Sequence, residues 1–236
     1  MFSESAEFYD AIYASFKDYR AEAARVAALL RTLQPQCRTV LDVGCGTGEH
    51  ARLLAADGFI VDGLDLDPGL IRIAARKHPS GRFVVADMSA FQLSHRYDAI
   101  LCLFSSLGYL LTLDRVRQAL ECFRRHLAPE GVVVVEPWFT PGVLEHGRVM
   151  QHTVESNGVR ISRVSRMEID GVASHLHFEY EIRDASGTRH VSETHDLGLF
   201  TRDELQRTFE EAGLRAEYDP EGLTGRGLYV ARSAKT

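Results

Sequence analysis

The 236-residue chain is 45% hydrophobic and 25% charged, the make-up of an ordinary soluble globular protein large enough for a complete core. A formal net charge of −6 and a pI near 5.9 exclude a general attraction to nucleic acid or to anionic membranes, so a small-molecule partner is favoured. No apolar run approaches the roughly 20 residues that cross a bilayer. The opening MFSESAEFYD has neither the basic region nor the apolar core of a signal peptide, so a cytoplasmic location is expected. Cys37, Cys45, Cys102 and Cys122 show no C-x-x-C pairing and read as reduced thiols.

In chain order, residues 1–35 are helical in character. Ala23, Val26, Ala27, Leu30 and Leu33 recur at helical spacing, and Pro35 closes the segment. Ahead of that stripe lie Phe2, Phe8, Tyr9, Tyr13, Phe16 and Tyr19, an aromatic density that a packing helix does not require. Next comes TVLDVGCGTG at 39–48, a buried-strand pattern broken by Gly44, Gly46 and Gly48. Glycines at alternate positions between strand and helix let a ligand approach the main chain closely. The dinucleotide fingerprint G-x-G-x-x-G would need glycine at position 49, where Glu49 stands, an unfavourable neighbour for a pyrophosphate.

A helix is expected near Glu49 to Ala56, then a strand from Ile60 to Leu64 ending on Asp65. Asp67 caps the next helix with Pro68 at its first position, and a strand from Phe83 to Ala86 ends on Asp87 and Met88. Further strands are expected at Ala99 to Phe104 and, after a helix starting near Asp114, at 132–136 (VVVVE). This β-α-β rhythm predicts a parallel sheet. Between Arg148 and Phe200 the period changes to two, with Leu176, Phe178, Tyr180 and Ile182 opposite His175, His177, Glu179 and Glu181. Asn157-Gly158, Asp170-Gly171 and Ser186-Gly187 are hairpin signals, so about four antiparallel strands are expected there. His175 and His177 read as structural, since no third ligand accompanies them, and no metal site is expected. A T-x-x-E capping box, Thr201 to Glu204, then opens a helix ending at Gly213, and strands follow near Leu214 to Tyr218 and Leu228 to Ala231.

The set formed by Asp42-x-Gly44-x-Gly46-x-Gly48, GLDLD at 63–67 and ADM at 86–88 resembles the class I S-adenosylmethionine-dependent methyltransferases. The resemblance implies an α/β fold. A doubly wound, seven-stranded Rossmann-like core (36–147 and 200–236) would carry an N-terminal helical cap (1–35) and an antiparallel β insertion over the acceptor site (148–199). It also implies the cofactor roles. Gly44 and Gly46 would pass under the methionine part of S-adenosyl-L-methionine, Asp65 would hold the ribose, Leu66 and Met88 would sandwich adenine, and Asp87 would accept from its amine. Tyr19, Asp42, Cys45 and Leu103 complete the expected cofactor contacts.

LFSSLGYL (103–110), GVVVVEPW (131–138) and GRGL (225–228) extend the resemblance to the N-methyltransferases that dimethylate nucleotide-linked deoxyamino sugars. Arg226 would then meet the phosphates of an anionic acceptor, a role suited to a guanidinium's bidentate fit, and Phe2 and Trp138 would contact the acceptor. Methyl transfer from a sulfonium asks the protein chiefly for proximity and alignment. The amine's proton would pass to Tyr109, Glu136 or Tyr9, with Ser105 and Ser106 as orienting groups. A homodimer is compatible with that family. Two other readings stay open, methylation of another small amine, indole carbon or hydroxyl, and a non-catalytic cofactor-binding subunit.

Overall fold

The computed structural model describes residues 6–234. Two helices come first, α1 (Tyr9–Ala14) and α2 (Tyr19–Leu33), the second capped by the Asp18 carboxylate, which accepts from the Ala21 amide at 3.0 Å. β1 (Thr39–Val43), α3 (Glu49–Ala56), β2 (Ile60–Asp65), α4 (Pro68–Lys77), β3 (Phe83–Val85) and β4 (Tyr97–Cys102) follow. A 3₁₀ turn at Ser106–Leu110 leads to α5 (Leu113–His126) and β5 (Leu127–Val135). Asp67 caps α4 as expected, accepting from the Gly69 and Leu70 amides. Four long strands then intervene, β6 (Val149–Ser156), β7 (Val159–Asp170), β8 (Ala173–Asp184) and β9 (Gly187–Gly198), before α6 (Arg202–Glu211), β10 (Leu214–Asp219) and β11 (Leu228–Ser233). The Thr201–Glu204 capping box is present at α6. No helix among the described residues is long and apolar enough to cross a membrane.

The main sheet has seven strands in the order β10-β11-β5-β4-β1-β2-β3, with β11 antiparallel to both β10 and β5. Because β1 and β5 are buried on both faces, successive residues feed two separate cores. Leu41, Ile100 and Val133 pack toward α5 and α6, while Val40, Leu101 and Val134 pack toward α2 and α3. Strand order reverses between β1 and β4, which places the turns after both strands at one crevice.

The insertion is a separate antiparallel sheet, β6-β7-β8-β9. Phe178, Tyr180 and Ile182 lie on its buried face and pack with Tyr9, Ile12 and Tyr13 of α1 and Leu70 of α4. The helical cap is therefore tied to both core and insertion. His175 and His177 face the other way, bonded to Asp196 and to Thr194 and Glu168. Among the described residues no group of three side chains is placed to hold a metal.

One boundary differs in a way that matters. The fourth strand was expected to run to Phe104 but ends at Cys102, because Phe104 (φ 52°) and Ser105 (φ 65°) both adopt left-handed backbone. Non-glycine residues reach that region at a cost and need external support. The Phe104 amide donates to Glu136 Oε2 at 2.8 Å and the Ser105 hydroxyl to the Pro137 carbonyl at 2.9 Å.

Candidate active site

The ends of β1, β2, β3 and β4 open into a cavity of about 400 Å³ roofed by α1 and the insertion, within the usual range for small-molecule sites. At its floor Gly44 and Gly46 have φ of 70° and 54°. A Cβ on Gly44 would come 2.7 Å from Ser106, whereas at Gly46 the nearest atom is the Tyr9 hydroxyl, 4.0 Å away. The floor at Gly46 is thus open for close approach of a ligand.

Asp65 is fixed on both carboxylate oxygens, with the Gly46 amide donating to Oδ2 at 2.9 Å and the Asp67 amide to Oδ1 at 3.0 Å. Each oxygen retains acceptor capacity toward the cavity. Burial raises its pKa even though those amides work in the opposite direction. Asp87 is held lower than usual, because hydrogen bonds from Ser89 and Arg115 outweigh its desolvation. Its Oδ1 accepts from both the amide and the hydroxyl of Ser89, and its Oδ2 pairs with Arg115 at 2.6 Å. Leu66, 55% exposed, and Met88 flank these acids on the cavity wall. A carboxylate for vicinal hydroxyls, an acceptor beside apolar and thioether faces, and an open glycine floor together fit an adenosine carrying a sulfonium.

At the other end Arg226 lies over the rings of Phe104 and Phe139, with its Cζ 5.1 and 5.7 Å from their centroids. Its Nη1 is 3.4 Å from the Ser105 hydroxyl and 3.8 Å from Glu136. Trp138 donates from Nε1 to the Ser174 hydroxyl at 2.9 Å, linking the loop after β5 to the insertion.

The cavity brings together Tyr9, Gly44, Gly46, Asp65, Leu66, Asp87, Met88, Ser105, Ser106, Tyr109, Trp138 and Arg226. Five other expected contacts, Asp42, Leu103, Cys45, Tyr19 and Glu136, are not among the residues lining it. Asp42 is 2% exposed and Leu103 4%, and the Cys45 sulfur sits under the turn against Gly63. Tyr19 packs edge-on against His50 at 5.1 Å. Glu136 is wholly buried, its oxygens engaged by Thr224 and the Phe104 amide, which removes it from the wall where a proton acceptor would stand. Phe2 lies outside the described residues.

Sequence reasoning missed Tyr13, Phe104, Arg163 and His195, all of which line the cavity. Arg163, on β7, is 9% exposed and stacks on Phe178, Tyr13 and Phe16 at 4.8 to 5.5 Å. A signal was available on β7, where Arg163 shares a face with Val159, Ile161, Met167 and Ile169; on β9 the face of Glu193 and His195 also carries Arg189 and gives no such contrast.

The fold and this cavity define the S-adenosylmethionine-dependent methyltransferase class, and a family model described as a methyltransferase domain matches residues 40–131. The chain is 41% identical to the dTDP-3-amino-3,6-dideoxy-alpha-D-glucopyranose N,N-dimethyltransferase of Streptomyces fradiae, over 96% of this chain and 90% of that one. The solved structure of Streptomyces venezuelae DesVI superposes with a TM-score of 0.93 at 36% identity, covering 98% of this chain and 99% of that one. S-adenosylmethionine-bound CalS10, an amino pentose methyltransferase from Micromonospora echinaspora, does so with 0.86 at 37%, covering 95% of each chain. The chain belongs to this family and is an S-adenosylmethionine-dependent N-methyltransferase.

Proposed function

We propose that the protein methylates, twice in succession, the amine of a dTDP-linked deoxyamino sugar. The observation that carries this reading is the polarity of the cavity, with carboxylates at the cofactor end and the Arg226 guanidinium at the other, in a chain so similar to the Streptomyces fradiae enzyme. When bound, S-adenosylmethionine supplies a methyl group on a cationic sulfur already primed as a leaving group. In this reading Asp65 takes the ribose hydroxyls, Leu66 and Met88 the adenine faces, and Asp87 the adenine amine, while the glycine floor admits the methionine part.

Arg226 receives the diphosphate of an anionic acceptor, with Ser105 beside it and Trp138 against the sugar. Tyr9 and Tyr109 flank the amine, and Ser106 holds the floor turn. Positioning of this kind supplies roughly 7–11 kcal/mol in favourable cases. The cap (1–35) and insertion (148–199) act as walls of the acceptor site on the core (36–147 and 200–236). Four free cysteines suit a reducing cytoplasm, and a homodimer is part of the reading by family likeness.

The test is a panel of dTDP-amino sugars and plain amines assayed with S-adenosylmethionine by product mass. One and then two added methyl groups on a dTDP-amino sugar, lost in Arg226→Ala, are expected. Equal turnover of neutral amines, undiminished in Arg226→Ala, would overturn the assignment.

A further inference from the structure

Methylating an amine sets a task besides positioning. The ammonium produced must lose a proton for each methyl added, and an acceptor that arrives protonated must lose one before it can attack. Tyr109 is on the cavity wall and 41% exposed, and desolvation of its enclosed side, together with Tyr13, Asp65, Tyr180 and Glu193, raises the pKa of a phenol that already holds its proton at neutral pH. A free tyrosinate is therefore not its working form.

Its hydroxyl lies 3.1 Å from Nδ1 of His195, and the two rings meet edge-on with centroids 5.9 Å apart. On the far side of the imidazole, Nε2 stands 3.5 Å from Oε2 of Glu193, and the two side chains are only 1% and 4% exposed. Both residues belong to β9, two positions apart and so on one face, paired in register with Phe178 and Leu176 of β8. Phe178 packs on the imidazole at 5.1 Å. Other titratable and charged groups around this row are Tyr180 on β8, Arg163 on β7, Tyr9 and Tyr13 on α1, Asp65 at the end of β2 and Arg226 before β11.

We propose that Tyr109, His195 and Glu193 form a proton relay that takes the proton from the acceptor amine, an inference that rests on the N-methylation reading above. The carboxylate 3.5 Å from Nε2, a charge contact without a hydrogen bond, favours the Nε2–H tautomer, which leaves the Nδ1 lone pair to accept from the Tyr109 hydroxyl. As an amine N–H bond breaks, its proton passes to the Tyr109 oxygen while the phenolic proton moves to Nδ1. Tyrosine is neutral before and after. The imidazolium so formed is held by the Glu193 carboxylate, the same division of labour as in a hydroxyl–imidazole–carboxylate triad. Once product leaves, the proton returns through Tyr109 to solvent in the cavity and the relay is ready for the second methyl group. The insertion thereby contributes to the chemistry as well as to the shape of the site.

Nitrogen-15 NMR of the imidazoles in the intact enzyme tests the arrangement without turnover. The Nε2–H tautomer is expected for His195 near neutral pH, and an Nδ1–H tautomer donating to Tyr109 would overturn the relay. In kinetics, His195→Gln keeps a polar side chain but accepts no proton, so kcat is expected to fall about 100-fold near pH 7. The deficit should narrow toward pH 9, with S-adenosylmethionine binding unchanged by calorimetry. Glu193→Gln, which removes the charge beside the imidazolium, should shift the acidic limb of the pH profile to lower pH. Wild-type kcat and pH profile in His195→Gln, or in Tyr109→Phe should the former not fold, would sink the proposal. A wild type that methylates no dTDP-amino sugar counts against the acceptor, while the tautomer still decides the relay.

Discussion

The carboxylate of Glu136 lies 3.8 Å from the guanidinium of Arg226, although the glutamate is wholly buried. The same carboxylate accepts from Thr224 at 2.5 Å and from the Phe104 amide. One side chain therefore ties the loop before β11 to the left-handed turn after β4.

Removing one member of a buried charged pair typically costs about 3–5 kcal/mol, so Glu136→Ala is expected to lower stability by about 3 kcal/mol in urea denaturation. Glu136→Gln keeps an acceptor for the Phe104 amide but releases Arg226. Its expected signature is a raised KM for the sugar nucleotide with binding of S-adenosylmethionine intact. An unchanged KM would show that Glu136 does not position Arg226.

Asp65 should dominate cofactor affinity. A hydrogen bond to a charged group contributes about 1.5–3 kcal/mol, so Asp65→Ala is expected to weaken S-adenosylmethionine binding by about 10- to 100-fold in calorimetry. The thermal transition without ligand is expected to fall as well, since the amides of Gly46 and Asp67 lose their acceptor, so calorimetry is run well below the variant's own transition. Retained affinity would remove Asp65 from the ribose.

Asp42 predicts a pH dependence of stability. Burial pushes its carboxyl up to about 6, whereas the unfolded chain loses that proton near about pH 3.9. Between those values the native state binds the extra proton, so the contribution to stability is greatest at low pH and is lost as pH rises through 6. Asp65 shifts in the same direction. Asp42→Asn is therefore expected to be more stable than wild type by about 2 kcal/mol at pH 7.5 and nearly equal to it at pH 4, measured by urea denaturation. A difference independent of pH would contradict this.

Trp138 is the only tryptophan in the sequence and lines the cavity, so its fluorescence should report on the acceptor site. Titration with a dTDP-amino sugar is expected to change emission saturably, and Arg226→Ala should move the midpoint to higher concentration. A flat titration at concentrations that support turnover would place the sugar away from Trp138.

The core was legible because its signals are local. Alternation of strand and helix, the Asp67 and Thr201 caps and the glycines after β1 each depend on residues within a few positions of one another, and the structure places them as read. Leu66, Asp87 and Arg226 reach the cavity because a strand end or loop tip leaves few other directions for them. Asp42 and Glu136 did not follow that logic. An acid near a strand end can face the cavity or the layer behind it, and the choice depends on the twist of the sheet and on loops far away in the chain.

The amino-acid sequence by itself determined the doubly wound sheet, the glycine floor and the acids that face it, since short-range backbone preference and hydrophobic period specify them. Tertiary structure alone decided the joining of Glu136 to Arg226 across 90 residues and of Tyr109 to His195 across 86. The first pairing arises from the antiparallel register of β5 with β11, the second from docking of β9 over the 3₁₀ turn. Strand pairing and docking are long-range, and no local pattern encodes which distant side chains they bring within a hydrogen bond of each other.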